Sequence, residues 1–206
     1  MHEYQILEKG KPLNQAKKAI ILLHGRGGSA NNIITLADEF CDEQFYIAAP
    51  QATNHSWYPY SFLAPENQNE PWLSSAVEVV KKLIDETAVV IGTENVYLMG
   101  FSQGACLTLE VSSQFATKYA GVVAFTGGLI GESVNQAKYQ GNFEGTNVFI
   151  GNSDTDPHVP VERSEESKVI MENIGAQVIL KIYPGMSHTI NQDEILTVRK
   201  EIFQIA

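Results

Sequence analysis

Six short, almost unbroken apolar runs punctuate the chain: residues 19–24 (AIILLH), 45–49 (FYIAA), 96–101 (VYLMGF), 121–125 (GVVAF), 148–151 (VFIG) and 178–183 (VILKIY). A strand with one wet face alternates apolar and polar residues. A run apolar at every position instead suits a strand buried on both faces, as in a parallel sheet covered by helices. The intervening segments carry the complementary pattern. Residues 72–91 space Leu73, Ala76, Val77, Val80, Leu83 and Ile84 by threes and fours, the stripe of an amphipathic helix. Residues 103–118 follow the third run, residues 161–174 stop at Gly175, and residues 192–205 repeat the stripe through Ile195, Leu196, Val198, Ile202 and Phe203. The alternation predicts an α/β fold, a mostly parallel central sheet with helices on both faces. No repeat, low-complexity tract or linker interrupts it, so residues 1–206 read as a single domain.

In open sheets of this kind, ligands bind beyond the C-terminal ends of the strands. The loops that follow the apolar runs are therefore where chemistry belongs. After the third run, Gly100-Phe101-Ser102-Gln103-Gly104 fits G-x-S-x-G between a strand and a helix. A serine hydroxyl is a weak nucleophile and has to be presented at the tip of a tight, strained turn, with glycines two residues away on each side so that nothing collides. The pattern alone arises by chance in roughly one chain in fifteen of this length, and its bland reading is a glycine-rich turn with a capping serine. Its position at a strand-to-helix junction favours the nucleophile.

A nucleophilic serine needs a base and a carboxylate, which on such a sheet follow it in the order acid, then histidine. His2, His24 and His55 precede Ser102; His158 and His188 remain. His158 lies two residues from Asp156, too close for Asp156 to orient it toward Ser102, so His188, beyond the sixth run, is the expected base. The loop after the fifth run offers Asp154 and Asp156. Pro157 biases Asp156 toward an extended backbone, making it the expected acid, with Asp154 a turn or capping residue.

The tetrahedral intermediate of acyl transfer needs two backbone N–H donors. The amide of Gln103, after the nucleophile, and that of Arg26, in the early loop His24-Gly25-Arg26-Gly27-Gly28, are the expected pair. His24 itself reads as a structural residue that hydrogen-bonds nearby backbone. The same loop satisfies the dinucleotide pattern G-x-G-x-x-A through Ala30, but the second run ends Ala48-Ala49-Pro50-Gln51 without the acid that would hold a ribose. Residues 53–63 (TNHSWYPYSFL) are dense in aromatics and are expected either to pin a long loop or to wall a pocket, with Trp57 first, then Tyr58 and Phe62, as substrate contacts. The Arg26 side chain, near the same mouth, could favour an acidic substrate.

Lys plus Arg is 14 and Asp plus Glu is 24, a net charge of 14 − 24 = −10. With no basic run, this argues against nucleic acid or an anionic membrane surface as partner. No apolar stretch reaches the ~18 residues of a membrane span, and the first residues lack the order of a secretion signal. Cys41 and Cys106 form no CxxC, which suits a cytoplasmic setting. A metal site at Asp154, Asp156, His158 and His188 fits no hydrolytic pattern well, and a ligand-binding protein without turnover is the alternative to an enzyme.

Taken together, His-Gly-x-Gly-Gly at 24–28, Gly-Phe-Ser-Gln-Gly at 100–104, Asp-x-Asp-Pro-x-Val-Pro at 154–160 and Gly-Met-x-His at 185–188 resemble the phospholipase/carboxylesterase family of α/β-hydrolases. That family includes bacterial carboxylesterases and acyl-protein thioesterases. The resemblance spans nearly the whole chain. It implies a Ser102–Asp156–His188 triad, an oxyanion hole from the Arg26 and Gln103 amides, no cofactor or metal, and hydrolysis of small-molecule acyl esters or thioesters. It also implies a possible homodimer. Arg26 stands where many members carry leucine.

Overall fold

Each apolar run is a strand whose successive side chains enter two different cores. In β2 (Lys18–Leu23) Ile21 and Leu23 join one cluster while Ile20 and Leu22 join the other. β3 (Phe45–Pro50), β4 (Val96–Phe101), β5 (Gly121–Phe125) and β6 (Asn147–Ser153) divide their residues the same way. The computed structural model describes residues 1–205. It joins these strands in one seven-stranded sheet, of order β1-β3-β2-β4-β5-β6-β7, in which β1 is Ile6–Gly10, β7 is Gln177–Tyr183 and all pairs from β3 to β7 are parallel.

Three helices cover one face. α1 (Trp72–Ile91) contributes Leu73, Ala76, Val80, Leu83 and Ile84 to that core, α2 (Gln103–Gln114) contributes Cys106, Leu107, Leu109 and Val111, and α3 (Val161–Asn173) contributes Ile170 and Met171. The other face is covered by the helical turns Ala30–Ile33 and Ile34–Glu39 and by α4 (Gln192–Glu201), through Ile33, Ile34, Ala37, Ile195 and Val198, with Ile202 and Phe203 just beyond. Among the described residues no helix is long and apolar enough to cross a membrane.

The structure departs from the sequence pattern in four places. β1 (Ile6–Gly10) pairs antiparallel with β3 at the sheet edge; with Glu8, Lys9 and Gly10 exposed, it has no continuous apolar run to reveal it. The second helix stops at Gln114, because Phe115–Ala116 leaves the helical path to pair with Gln140–Gly141. Leu196, expected in the buried stripe of the last helix, is 54% exposed, and that helix ends at Glu201. Finally, no long helix connects β5 to β6.

Residues 126–146 form instead a long loop held by two buried charged side chains. The Arg163 guanidinium donates to the carbonyls of Leu129 (2.9 Å), Gly131 (2.7 Å) and Glu132 (3.0 Å). The fully buried Glu110 carboxylate accepts from the Ile130 amide (3.0 Å) and the Tyr139 hydroxyl (2.8 Å), and lies 2.8 Å from the Lys138 ammonium. A loop can lie inside a fold only when its backbone groups find such partners. Removing the carboxylate orphans the Ile130 amide and the Tyr139 hydroxyl and leaves Lys138 only its Glu66 partner among carboxylates. We expect Glu110→Ala to lower unfolding free energy by about 3 kcal/mol, measured by denaturant melts; a loss within 0.5 kcal/mol, roughly the scale of an ordinary surface change, would contradict this account of the loop.

Candidate active site

Ser102 sits where β4 turns into α2, with φ 54° and ψ −119°, a backbone conformation that L-residues rarely adopt. Close packing explains how the turn is tolerated. A Cβ on Gly100 would collide with the Gly104 carbonyl, and a Cβ on Gly104 with the Leu23 carbonyl. The Ser102 amide donates to the Phe125 carbonyl (2.9 Å) and its carbonyl accepts from Cys106 (3.0 Å). The side chain caps nothing, so the hydroxyl is left for another partner.

That partner is His188, whose Nε2 lies 2.8 Å from Ser102 Oγ. Its Nδ1 is 2.6 Å from Asp156 Oδ2, and the other carboxylate oxygen accepts from the amides of His158 (2.8 Å) and Val159 (2.9 Å). Burial pushes the Asp156 carboxyl upward, but the His188 hydrogen bond and the two amides outweigh it and hold its pKa below the ordinary value. An ionised carboxylate only accepts. The proton therefore rests on His188 Nδ1, and the Nε2 lone pair faces the serine. Phe101 packs on the imidazole, ring centroids 5.2 Å apart.

The early glycine loop lies against Ser102: a Cβ on Gly25 would stand 3.4 Å from that of the serine. The neighbouring amides of Gly27 and Gly28 are bonded to His55 and Gly25 carbonyls. Among the described residues the Arg26 and Gln103 amides have no such acceptor, and both residues line the cavity beside Ser102. His24 is buried; its Nε2 accepts from the Ala52 amide (3.1 Å), so its Nδ1 carries the proton and donates to the Gly25 carbonyl (2.8 Å).

The cavity, about 770 Å³, is lined by Tyr58 and Phe62 together with Ser102, Cys106, His158 and His188. Trp57, expected first among substrate contacts, does not reach it. Its side chain is 0% exposed and its indole N–H donates to the His24 carbonyl (2.8 Å), so it anchors the loop from beneath. An aromatic-rich segment divides its rings between core and cavity, and composition alone does not say which ring goes where.

A family model described as phospholipase/carboxylesterase matches residues 5–205. The chain belongs to the phospholipase/carboxylesterase family. It is accordingly an α/β-hydrolase that acts on carboxylic esters or thioesters. It is similar to the crystal structure of a phospholipase/carboxylesterase from Dyadobacter fermentans, with 50% identity and a TM-score of 0.96 over 98% of this chain and 97% of that one. It is also 29% identical to acyl-protein thioesterase 1 of Debaryomyces hansenii, over 87% of this chain and 88% of that protein. A probable carboxylesterase of Oryza sativa is 28% identical, over 89% and 76% respectively.

The hydrolase also carries site residues that the sequence pattern does not reveal. The Gln103 side chain accepts from the Trp57 amide (3.0 Å) and donates to the Tyr58 carbonyl (2.8 Å), clamping the aromatic loop to the start of α2. Asn152 donates to the Val159 carbonyl (3.1 Å) and to Ser164 (2.9 Å), fixing the acid loop. Asp154, expected as a turn or capping residue, lies in the turn after β6, and its carboxylate accepts from the Gly185 amide (2.7 Å), tying the acid loop to the one bearing His188. The Gln103 and Asp154 bonds join segments 31 or more residues apart, which local spacing does not encode. Asp154→Ala should free the His188 loop and lower kcat about tenfold, since small misplacement of a catalytic group is costly, with little change in thermal midpoint. Steady-state kinetics beside a melting curve checks both halves.

Proposed function

We propose that Ser102, His188 and Asp156 carry the hydrolysis, with the Arg26 and Gln103 amides as oxyanion donors. The observation that carries this reading is the continuous hydrogen-bond chain from Ser102 Oγ through His188 to Asp156, at 2.8 and 2.6 Å. Ser102 Oγ attacks the acyl carbonyl carbon while its proton passes to His188 Nε2. The carbonyl oxygen becomes an oxyanion facing the two amides at the N-terminus of α2 and in the glycine loop. As the tetrahedral intermediate collapses, the alcohol or thiol departs with the proton held by His188, leaving an acyl-serine. Water, deprotonated by the same imidazole, attacks that ester, releases the carboxylic acid and restores the Ser102 hydroxyl. Asp156 keeps the imidazole in one tautomer and offsets its positive charge in both halves.

Both oxyanion donors are main-chain groups, so side-chain substitution tests them poorly. The acyl or alcohol group has the Tyr58 and Phe62 wall of the cavity as its support. The chain is read as one catalytic unit because one sheet carries every loop involved. The free thiols of Cys41 and Cys106 support a cytoplasmic setting, and the acidic balance supports small acyl substrates over nucleic acid.

Nitrophenyl esters and acyl thioesters of graded length test the reading. Ser102→Ala should abolish turnover and labelling by a fluorophosphonate, and Asp156→Asn should lower kcat by about 10⁴ through the wrong imidazole tautomer. Labelling that persists in Ser102→Ala overturns the assignment.

A further inference from the structure

The cavity beside Ser102 differs from the rest of this acidic molecule in its charge. The chain as a whole carries −10, yet no Asp or Glu lines the cavity, while Arg26, His158 and His188 do. The Arg26 guanidinium is held rigidly. Nη1 donates to Ser56 Oγ (3.0 Å) and the Pro59 carbonyl (2.8 Å), and Nη2 to the Tyr60 carbonyl (2.6 Å). All three acceptors are neutral, and among the described residues no carboxylate forms a salt bridge with it. Its charge is therefore fixed in place and uncompensated.

His158 lines the same cavity, exposed, with its ring edge-on to His188 at 5.0 Å between centroids. Its position is set by the acid loop, because its amide is bonded to Asp156 and it stands between Pro157 and the Val159-Pro160 turn into α3. The hydrolytic steps above use neither this ring nor the guanidinium. A site built for a plain hydrocarbon chain has no use for a clamped cation and an open imidazole.

Resting on the proposed hydrolase reading, we infer that this cavity selects acyl esters or thioesters that carry a second, carboxylate end, bound by the Arg26 guanidinium and the His158 imidazole. The net negative charge of the molecule does not forbid this. Exposed charges farther than about 8 Å are largely screened at physiological salt, whereas a contact inside the cavity is screened much less. A carboxylate also matches the planar guanidinium fork better than any neutral acceptor.

The test compares mono-(4-nitrophenyl) adipate with its neutral methyl ester, by nitrophenolate release at physiological ionic strength. The intact protein should favour the carboxylate-bearing ester about tenfold in kcat/KM, the scale of one charge-assisted hydrogen bond. That ratio should fall toward one in His158→Val and in Arg26→Gln. The ratio is the readout because a merely structural disturbance lowers both rates alike. Equal turnover of the two esters, or a preference that both substitutions leave intact, overturns the carboxylate subsite and leaves the hydrolase standing. Should neither ester turn over, the hydrolase reading fails, and NMR titration with adipate against 1-hexanol decides the subsite alone. Adipate binding that weakens in His158→Val supports it; adipate binding no better than the alcohol's overturns it.

Discussion

Holding a serine backbone at positive φ costs on the order of 1–3 kcal/mol, and the molecule meets that cost by packing two elements closer than side chains allow. α2 crosses β2 and β4 where Gly104 stands against the Leu23 carbonyl and Gly100 against the Gly104 carbonyl. With no room for a Cβ at either position, both must be glycine, and the close approach they allow brackets the turn at Ser102. The Phe125 carbonyl then secures the Ser102 amide from the neighbouring strand. The arrangement of the other site loops follows from that fixed point.

Three loops from distant parts of the chain are tied to the elbow or to one another by hydrogen bonds, with Phe101 also packed on the His188 ring. The Gln103 side chain holds residues 57 and 58, Asp154 joins the acid loop to Gly185, and Asn152 stiffens the acid loop from within. Directional bonds suit this task. A hydrophobic contact tolerates sliding, while a hydrogen bond weakens steeply with angle, and the 2.8 Å contact between Ser102 Oγ and His188 Nε2 depends on that placement.

What was legible in the sequence follows the same division. The inner strands could be read because burial on both faces leaves a continuous apolar signature, and the helix at Trp72–Ile91 because its stripe is long. Ser102, Asp156 and His188 could be singled out because chain order, the G-x-S-x-G turn and Pro157 each remove alternatives. β1 escaped because an edge strand is half solvated, and residues 126–146 because no apolar period marks irregular backbone held by buried Arg163 and Glu110. Trp57 was misplaced for a related reason. A ring that anchors a loop and a ring that touches a ligand have the same composition, and only the His24 carbonyl above the indole distinguishes them.

The clamp between Gln103 and the aromatic loop couples two properties that evolution would find convenient to vary separately. The residue that grips the wall of the cavity through its side chain is also the one whose amide is proposed as an oxyanion donor. Any drift in residues 56–58 that reshapes the wall for a new acyl group pulls on the start of α2. Lineages exploring new acids are therefore expected to alter the opposite rim, at residues 157–160, before the aromatic segment.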